Sequence, residues 1–314
     1  MQKIYAWLRP RHYSVHSGST RRLNSRGLLN GLAPLGITLL VLPLARGFRF
    51  VAPPTRPANA QVVVVSAPAE HITFEAALPS RPLKQVSNYA AVGSAVQQWV
   101  KAHGGSQWGV VVQDLNDADN KVDVNADSQF DSASLYKLFL TIPLAQRLPF
   151  ASWSTQHTLN GQGDHTIAQC VQAMLAWSDN PCGMAIGSLI GWSNATRSAH
   201  ANGFTNTSLS YSPIQTTASN VADYLVGLNG GKWFDAQTRD FILNSLAMQK
   251  FRAGIPTGCT GCTVFNKTGQ LNGVTHDAAI VTRGKKHYVL VIMSKGGSYS
   301  QIAELTKLIN ATLL

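Results

Sequence analysis

The order in which hydrophobic periodicity changes along this chain limits its fold more than any other feature. Residues 86–103 carry apolar side chains at helical spacing and end on Gly104-Gly105, a helix with a glycine stop. Residues 108–115 and 121–126 then alternate as two strands around the polar turn Asn116-Asp117-Ala118-Asp119-Asn120. The pattern turns helical at 134–146, 166–177, 184–192, 194–202, 216–228 and 235–248. Pro181 is expected to stop the second of these helices. Alternation returns at 263–268, 278–282 and 287–293, and a helix over 302–313 closes the chain. Strands at the two ends most simply join one sheet. The expected architecture is α+β: an antiparallel sheet flanked by helices, with an all-helical subdomain between its first two and last three strands.

Charge divides the chain differently. The net charge of +11 suggests a nucleic-acid partner until it is located. Residues 1–60 hold nine basic residues and no acidic one, whereas 61–314 hold 17 basic against 15 acidic. The globular part is nearly neutral overall, so no nucleic-acid partner is expected. Within the basic start, residues 28–45 form an apolar run that reads as a signal peptide or a membrane anchor. Basic residues ahead of it favour an inside N-terminus and export of the remainder, although Arg46 and Arg49 follow it directly. The expected organisation is a basic segment over 1–27, the apolar segment over 28–45, a proline-rich linker over 46–83 and a domain over 84–314. The product would be exported, secreted or membrane-anchored, and a monomer.

Four cysteines suit an oxidising compartment. They permit three pairings. The local pairs, Cys170 with Cys182 and Cys259 with Cys262, need the least rearrangement. The competing readings are redox chemistry at the Cys259-x-x-Cys262 loop or a zinc site. The first lacks a helix start in a βαβ context, and the second lacks another close pair.

Chemistry concentrates in three short patterns. Ser134-x-x-Lys137 sets a hydroxyl and an amine one helical turn apart, on one face. Serine is a weak nucleophile until a base takes its proton, and a desolvated lysine can be that base. Ser178-Asp179-Asn180 falls at a turn between helices, and Lys267-Thr268-Gly269 falls in a strand.

These patterns, in this order and context, resemble the signature of class A β-lactamases and penicillin-binding proteins, the penicillin-recognising serine hydrolases. The resemblance covers residues 84–314. It implies Ser134 as nucleophile, Lys137 as proton acceptor, Ser178 as proton relay to the leaving nitrogen and Lys267 as the second cation that lowers the Lys137 pKa. Asn180 would bind the substrate amide, and Lys267 with Thr268 would meet its carboxylate. Gly269 would let substrate lie along the strand, and the backbone N–H groups of Ser134 and Gln270 would form the oxyanion hole. His276 stands where an arginine often assists with the carboxylate. Asp179 would hold the turn. No metal or other cofactor is implied. The substrate would be a β-lactam or a cell-wall peptide.

One departure stands out. Class A β-lactamases activate the deacylating water with a glutamate on a loop after the serine–aspartate–asparagine turn. Here the glutamates are Glu70, Glu75 and Glu304, and none lies between Ser178 and Lys267. Alternatives to a β-lactamase are therefore a D-alanyl-D-alanine peptidase-like enzyme and an anchored penicillin-binding sensor that releases its acyl group slowly.

Overall fold

The computed structural model describes residues 88–158, 165–210 and 213–313. The expected segments over 1–27, 28–45 and 46–83 lie outside the described residues. Helix α1 (Tyr89–Ala102) leads into β1 (Gln107–Asp114) and β2 (Lys121–Val124). A two-residue strand β3 (Phe130–Asp131) precedes a 3-10 turn at Ala133–Leu135, α2 (Tyr136–Phe139) and α3 (Thr141–Arg147). The middle of the chain forms α4 (Ile167–Ala176), α5 (Asn180–Ile190), α6 (Trp192–Ala201), β4 (Gln215–Thr216), α7 (Ala218–Asn229) and α8 (Ala236–Ala247). A short α9 (Ile255–Gly258) precedes β5 (Thr263–Leu271), β6 (Val274–Arg283), β7 (Lys286–Lys295) and α10 (Tyr299–Leu313).

The five long strands form one antiparallel sheet in the order β2-β1-β7-β6-β5. The early and the late strands thus meet where β1 pairs with β7. Alternation along each strand sorts the core into two layers. Val110, Val112, Ala279, Val281, Leu290 and Ile292 face α1 and α10. Val111, Ala278, Ile280, Val289, Val291 and Met293 face the helical subdomain. β5 is an edge strand, and this leaves its outer side for the site.

Three local outcomes differ from the sequence expectation. The single helix over 134–146 is broken at Leu140, because Pro143 has no N–H for the Phe139 carbonyl and its ring crowds that turn. Pro181 does not stop a helix but sits in the first turn of α5, where a missing N–H leaves nothing unpaired. Asp179 caps that helix by accepting from the Cys182 N–H at 2.7 Å. β5 and β6 run longer than expected because Asn272-Gly273, both at positive φ, closes them as a tight hairpin. The local disulfides Cys170–Cys182 and Cys259–Cys262 both form. The first ties α4 to α5, the helices on either side of the Ser178 turn.

Candidate active site

Ser134 lies in the 3-10 turn ahead of α2, half-buried, rather than inside a regular helix. The turn is held from both sides. The Ser132 N–H donates to the Ile214 carbonyl at 2.7 Å, and the Ala133 N–H donates to Asp131 Oδ1 at 2.9 Å. Ala133 adopts φ +44°, a left-handed conformation that a residue with a Cβ avoids unless its surroundings enforce it.

Lys137 is fully buried, and its Nζ lies 3.0 Å from Ser134 Oγ. The same nitrogen donates to the Ser178 carbonyl and to Asn180 Oδ1, each at 2.7 Å. Burial pushes the Lys137 pKa down to about 8, with Asp179 opposing the shift. About a tenth of the amine is then neutral at pH 7. In the neutral form the two carbonyl oxygens can hold both N–H bonds, which turns the lone pair toward the Ser134 hydroxyl. That is the geometry a general base requires.

Gly183 on α5 makes this placement possible. A Cβ there would lie 2.7 Å from Lys137 Cε and 2.8 Å from Tyr136 Oη. No sequence pattern singles out this glycine, because the close approach exists only between α2 and α5.

Ser178 links the two lysines. Its carbonyl accepts from Lys137, and its Oγ accepts from Lys267 Nζ at 2.8 Å. It adopts φ +59°, again left-handed. Lys267 is also fully buried and donates to the Thr268 carbonyl at 2.8 Å. Burial lowers its pKa well below the usual lysine range, and repulsion from Lys137 adds to the effect. Burial is the leading cause of the shift at both lysines, and repulsion between the two amines disfavours having both charged at once.

The remaining residues divide. Asn180 is exposed, with Oδ1 held by Lys137 and its amide nitrogen without a partner among the described residues. Gln270 is exposed on the edge strand, whereas Thr268 is buried. Gly269, expected to leave room for substrate, has a packing role in the structure. A Cβ there would lie 3.1 Å from the Ser132 carbonyl and 3.2 Å from Ala133 Cβ, so its absence lets β5 press against the turn carrying Ser134.

His276 departs from the expectation. It is fully buried, its Nε2 lies 2.8 Å from the Asp131 carbonyl, and its Nδ1 accepts from the Ser294 N–H at 3.1 Å. A carbonyl can only accept and an amide N–H can only donate, which assigns the proton to Nε2. Both ring nitrogens are occupied, and burial holds the pKa down to about 4. His276 is a neutral clamp joining β3 and β7 through β6, with no nitrogen left for a carboxylate.

Sequence reasoning passed over the layer beneath Lys267. Arg252 donates to Asn266 Oδ1 at 3.0 Å, and Asn266 donates to Asp277 Oδ1 at 2.9 Å. The Ile255 N–H donates to the second Asp277 oxygen at 2.8 Å. Burial raises the Asp277 pKa to about 7 despite these donors. Beside the Ser178 turn, a cavity of about 430 Å³ is lined by Gln169, Gln172, Trp177, Asp179 and Pro181 among others. Among the described residues no group of three or more His, Cys, Asp or Glu side chains is placed to hold a metal ion.

Comparison with known proteins gives a consistent result. The model of a family described as the beta-lactamase enzyme family matches residues 91–313. A solved structure described as "Structure of PBP-A" superposes with a TM-score of 0.63 at 18% identity, covering 70% of this chain and 95% of that one. A second, a point mutant of PBP-A described as an acyl-enzyme complex with penicillin G, has the same TM-score and identity and covers 71% and 96%. At that identity the likeness shows the fold. No curated protein matches this chain.

Proposed function

The chain belongs to the beta-lactamase enzyme family, which makes it a serine hydrolase, and on that premise we propose that it opens an amide or β-lactam through an acyl-enzyme on Ser134. The observation that carries this reading is the buried Lys137 amine 3.0 Å from Ser134 Oγ, with its other two contacts fixed on carbonyl oxygens. Ser134 Oγ attacks the carbonyl carbon as Lys137 takes the hydroxyl proton. The backbone N–H groups of Ser134 and Gln270 receive the developing oxyanion, brought near one another by the close approach at Gly269. Ser178 Oγ, held by Lys267, relays a proton to the departing nitrogen. The unpaired Asn180 amide donates to a substrate carbonyl, and Lys267 and Thr268 lie where a substrate carboxylate would bind.

Deacylation separates two readings of the same site. A β-lactamase must clear its acyl group quickly, yet no glutamate occurs between Ser178 and Lys267. Glu304, on α10, accepts from the Trp99 indole of α1 at 2.7 Å, in the layer behind the sheet. That favours slow release, as in a cell-wall peptidase or an acylated sensor. The basic lead and the apolar run over 28–45 support an exported, anchored protein.

The test is intact-mass spectrometry of the full chain with benzylpenicillin, beside Ser134→Ala. An adduct on Ser134 that persists for hours supports the slow-release reading, and one that clears in seconds supports a β-lactamase with another deacylation route. No adduct and no hydrolysis would overturn the assignment.

A further inference from the structure

We propose that a second site, at the far end of the sheet, binds a small multivalent phosphate-bearing anion. A cavity of about 450 Å³ lies between α9, α10 and the end of β6, lined by Gly258, Thr260, Arg283, Lys307, Asn310 and Ala311. Two of these residues are cations, and none is acidic. Arg283 pairs across the β6–β7 hairpin with Lys286, and cross-strand partners project from the same face. Lys286 therefore stands beside Arg283 on the side that carries α10. Lys285 follows at the exposed hairpin tip.

Like charges directly opposite on a sheet destabilise it, and a third cation across the cavity adds to the repulsion. The usual relief is a carboxylate. None of Arg283, Lys286 and Lys307 makes an ion pair among the described residues. The described residues carry 15 basic and 12 acidic side chains, so the four cations at this end exceed the net charge of the whole described domain. The excess is gathered at one place rather than spread over the surface.

The chemistry of that place selects its ligand. Arginine offers a planar fork of N–H donors, lysine a point charge and Thr260 a hydroxyl, the donor set that recognises phosphate oxygens. Several cations around one cavity favour an anion of charge two or more over a single carboxylate. The concave shape admits a diphosphate or phosphate ester between strand and helix, where a flat membrane surface could not enter. Arg283 lies five residues along β6 from Ala278, the partner of Lys267, or roughly 17 Å at strand rise. The site is thus independent of the chemistry at Ser134.

Titration of inorganic pyrophosphate into the full chain at low ionic strength, followed calorimetrically, tests the proposal. Saturable binding of one equivalent is expected, weakening as salt is added. The double variant Arg283→Gln, Lys307→Gln should lose about tenfold or more in affinity, and Lys295→Gln should not. Melting curves and acylation by benzylpenicillin in the same samples report folding and the Ser134 site separately. Should the double variant fail to fold, exposed Lys307→Gln alone carries the comparison. Absence of saturable binding, or binding that the variants leave unchanged, overturns the site. Binding to phosphatidylglycerol vesicles without binding to pyrophosphate overturns it in favour of a membrane-facing surface.

Discussion

The middle of β6 and its hairpin end carry positive charge in opposite ways. Beside Ala278, Lys137 and Lys267 are removed from water, and their amines meet only carbonyl, amide and hydroxyl oxygens. Beside Arg283, the cations stay in contact with water and make no ion pair or side-chain hydrogen bond among the described residues. Burial at mid-strand lowers both lysine pKa values and brings Lys137 to about 8, where it can exchange protons near neutral pH. Solvation at the hairpin end keeps charge available for an anion. The difference is one of dielectric surroundings rather than residue type, since lysine serves at both places.

The largest effects should come from breaking the buried site. Ser134→Ala should remove the penicillin adduct completely by mass. Lys137→Ala should slow acylation by about a thousandfold, and Lys137→Arg should not rescue it, because arginine does not release its proton. Stopped-flow acylation measures both.

Next in size is the pH dependence. A base that works as the neutral amine gains activity as pH rises through its pKa. Acylation should therefore rise through about pH 8 and be about fiftyfold slower at pH 6 than at pH 8. A flat profile over that range would remove Lys137 as the base. The linked effect on folding has a defined sign. Because the folded pKa lies below the unfolded one, the unfolded chain binds more protons between about pH 8 and 10.5, and the Lys137 contribution to stability improves with pH across that window.

Gly183→Ala sharpens the comparison at one contact. Its Cβ would push on the Lys137 stem, so acylation should fall about tenfold to a hundredfold while the fold loses about 1–3 kcal/mol. Loss of stability without loss of rate would show that the lysine is not held by this contact. His276→Ala should cost about 2–4 kcal/mol in chemical denaturation, because the Ser294 N–H and the Asp131 carbonyl lose their buried partner. It should leave KM for a carboxylated substrate within about twofold, whereas a carboxylate-binding residue would raise it. The smallest effect belongs to the solvated end: Lys285→Gln should change stability by less than about 0.5 kcal/mol and leave acylation unaltered.

Much of this was legible in the residues. The change of period from strand to helix and back placed every long strand, and three short patterns marked the groups that meet around Lys137. The limits have physical causes. A helix over 134–146 was a fair reading of its apolar face, but Pro143 inside it breaks the ladder at Leu140. Pro181 reads as a stop or as a first-turn residue according to whether Asp179 caps the next helix, and that is decided by a 2.7 Å contact. Asn272-Gly273 was an available hairpin signal that extends β5 past Gln270. His276 could not be placed from sequence, because a histidine beside a turn reads as exposed until β3 and β7 close over it.

The sequence by itself determined which residues could do chemistry, their order and the class of fold that gathers them, because periodicity and short motifs are local properties. Only the tertiary structure decided how much water each of them sees. Gly183 and Gly269 matter because two elements approach there more closely than a Cβ allows. The near-neutral total of the domain concealed where its charge lies: Arg283 and Lys307, distant in the chain, share one cavity. Burial and electrostatic neighbourhood are sums over atoms from separate segments, so they exist only once the chain has folded.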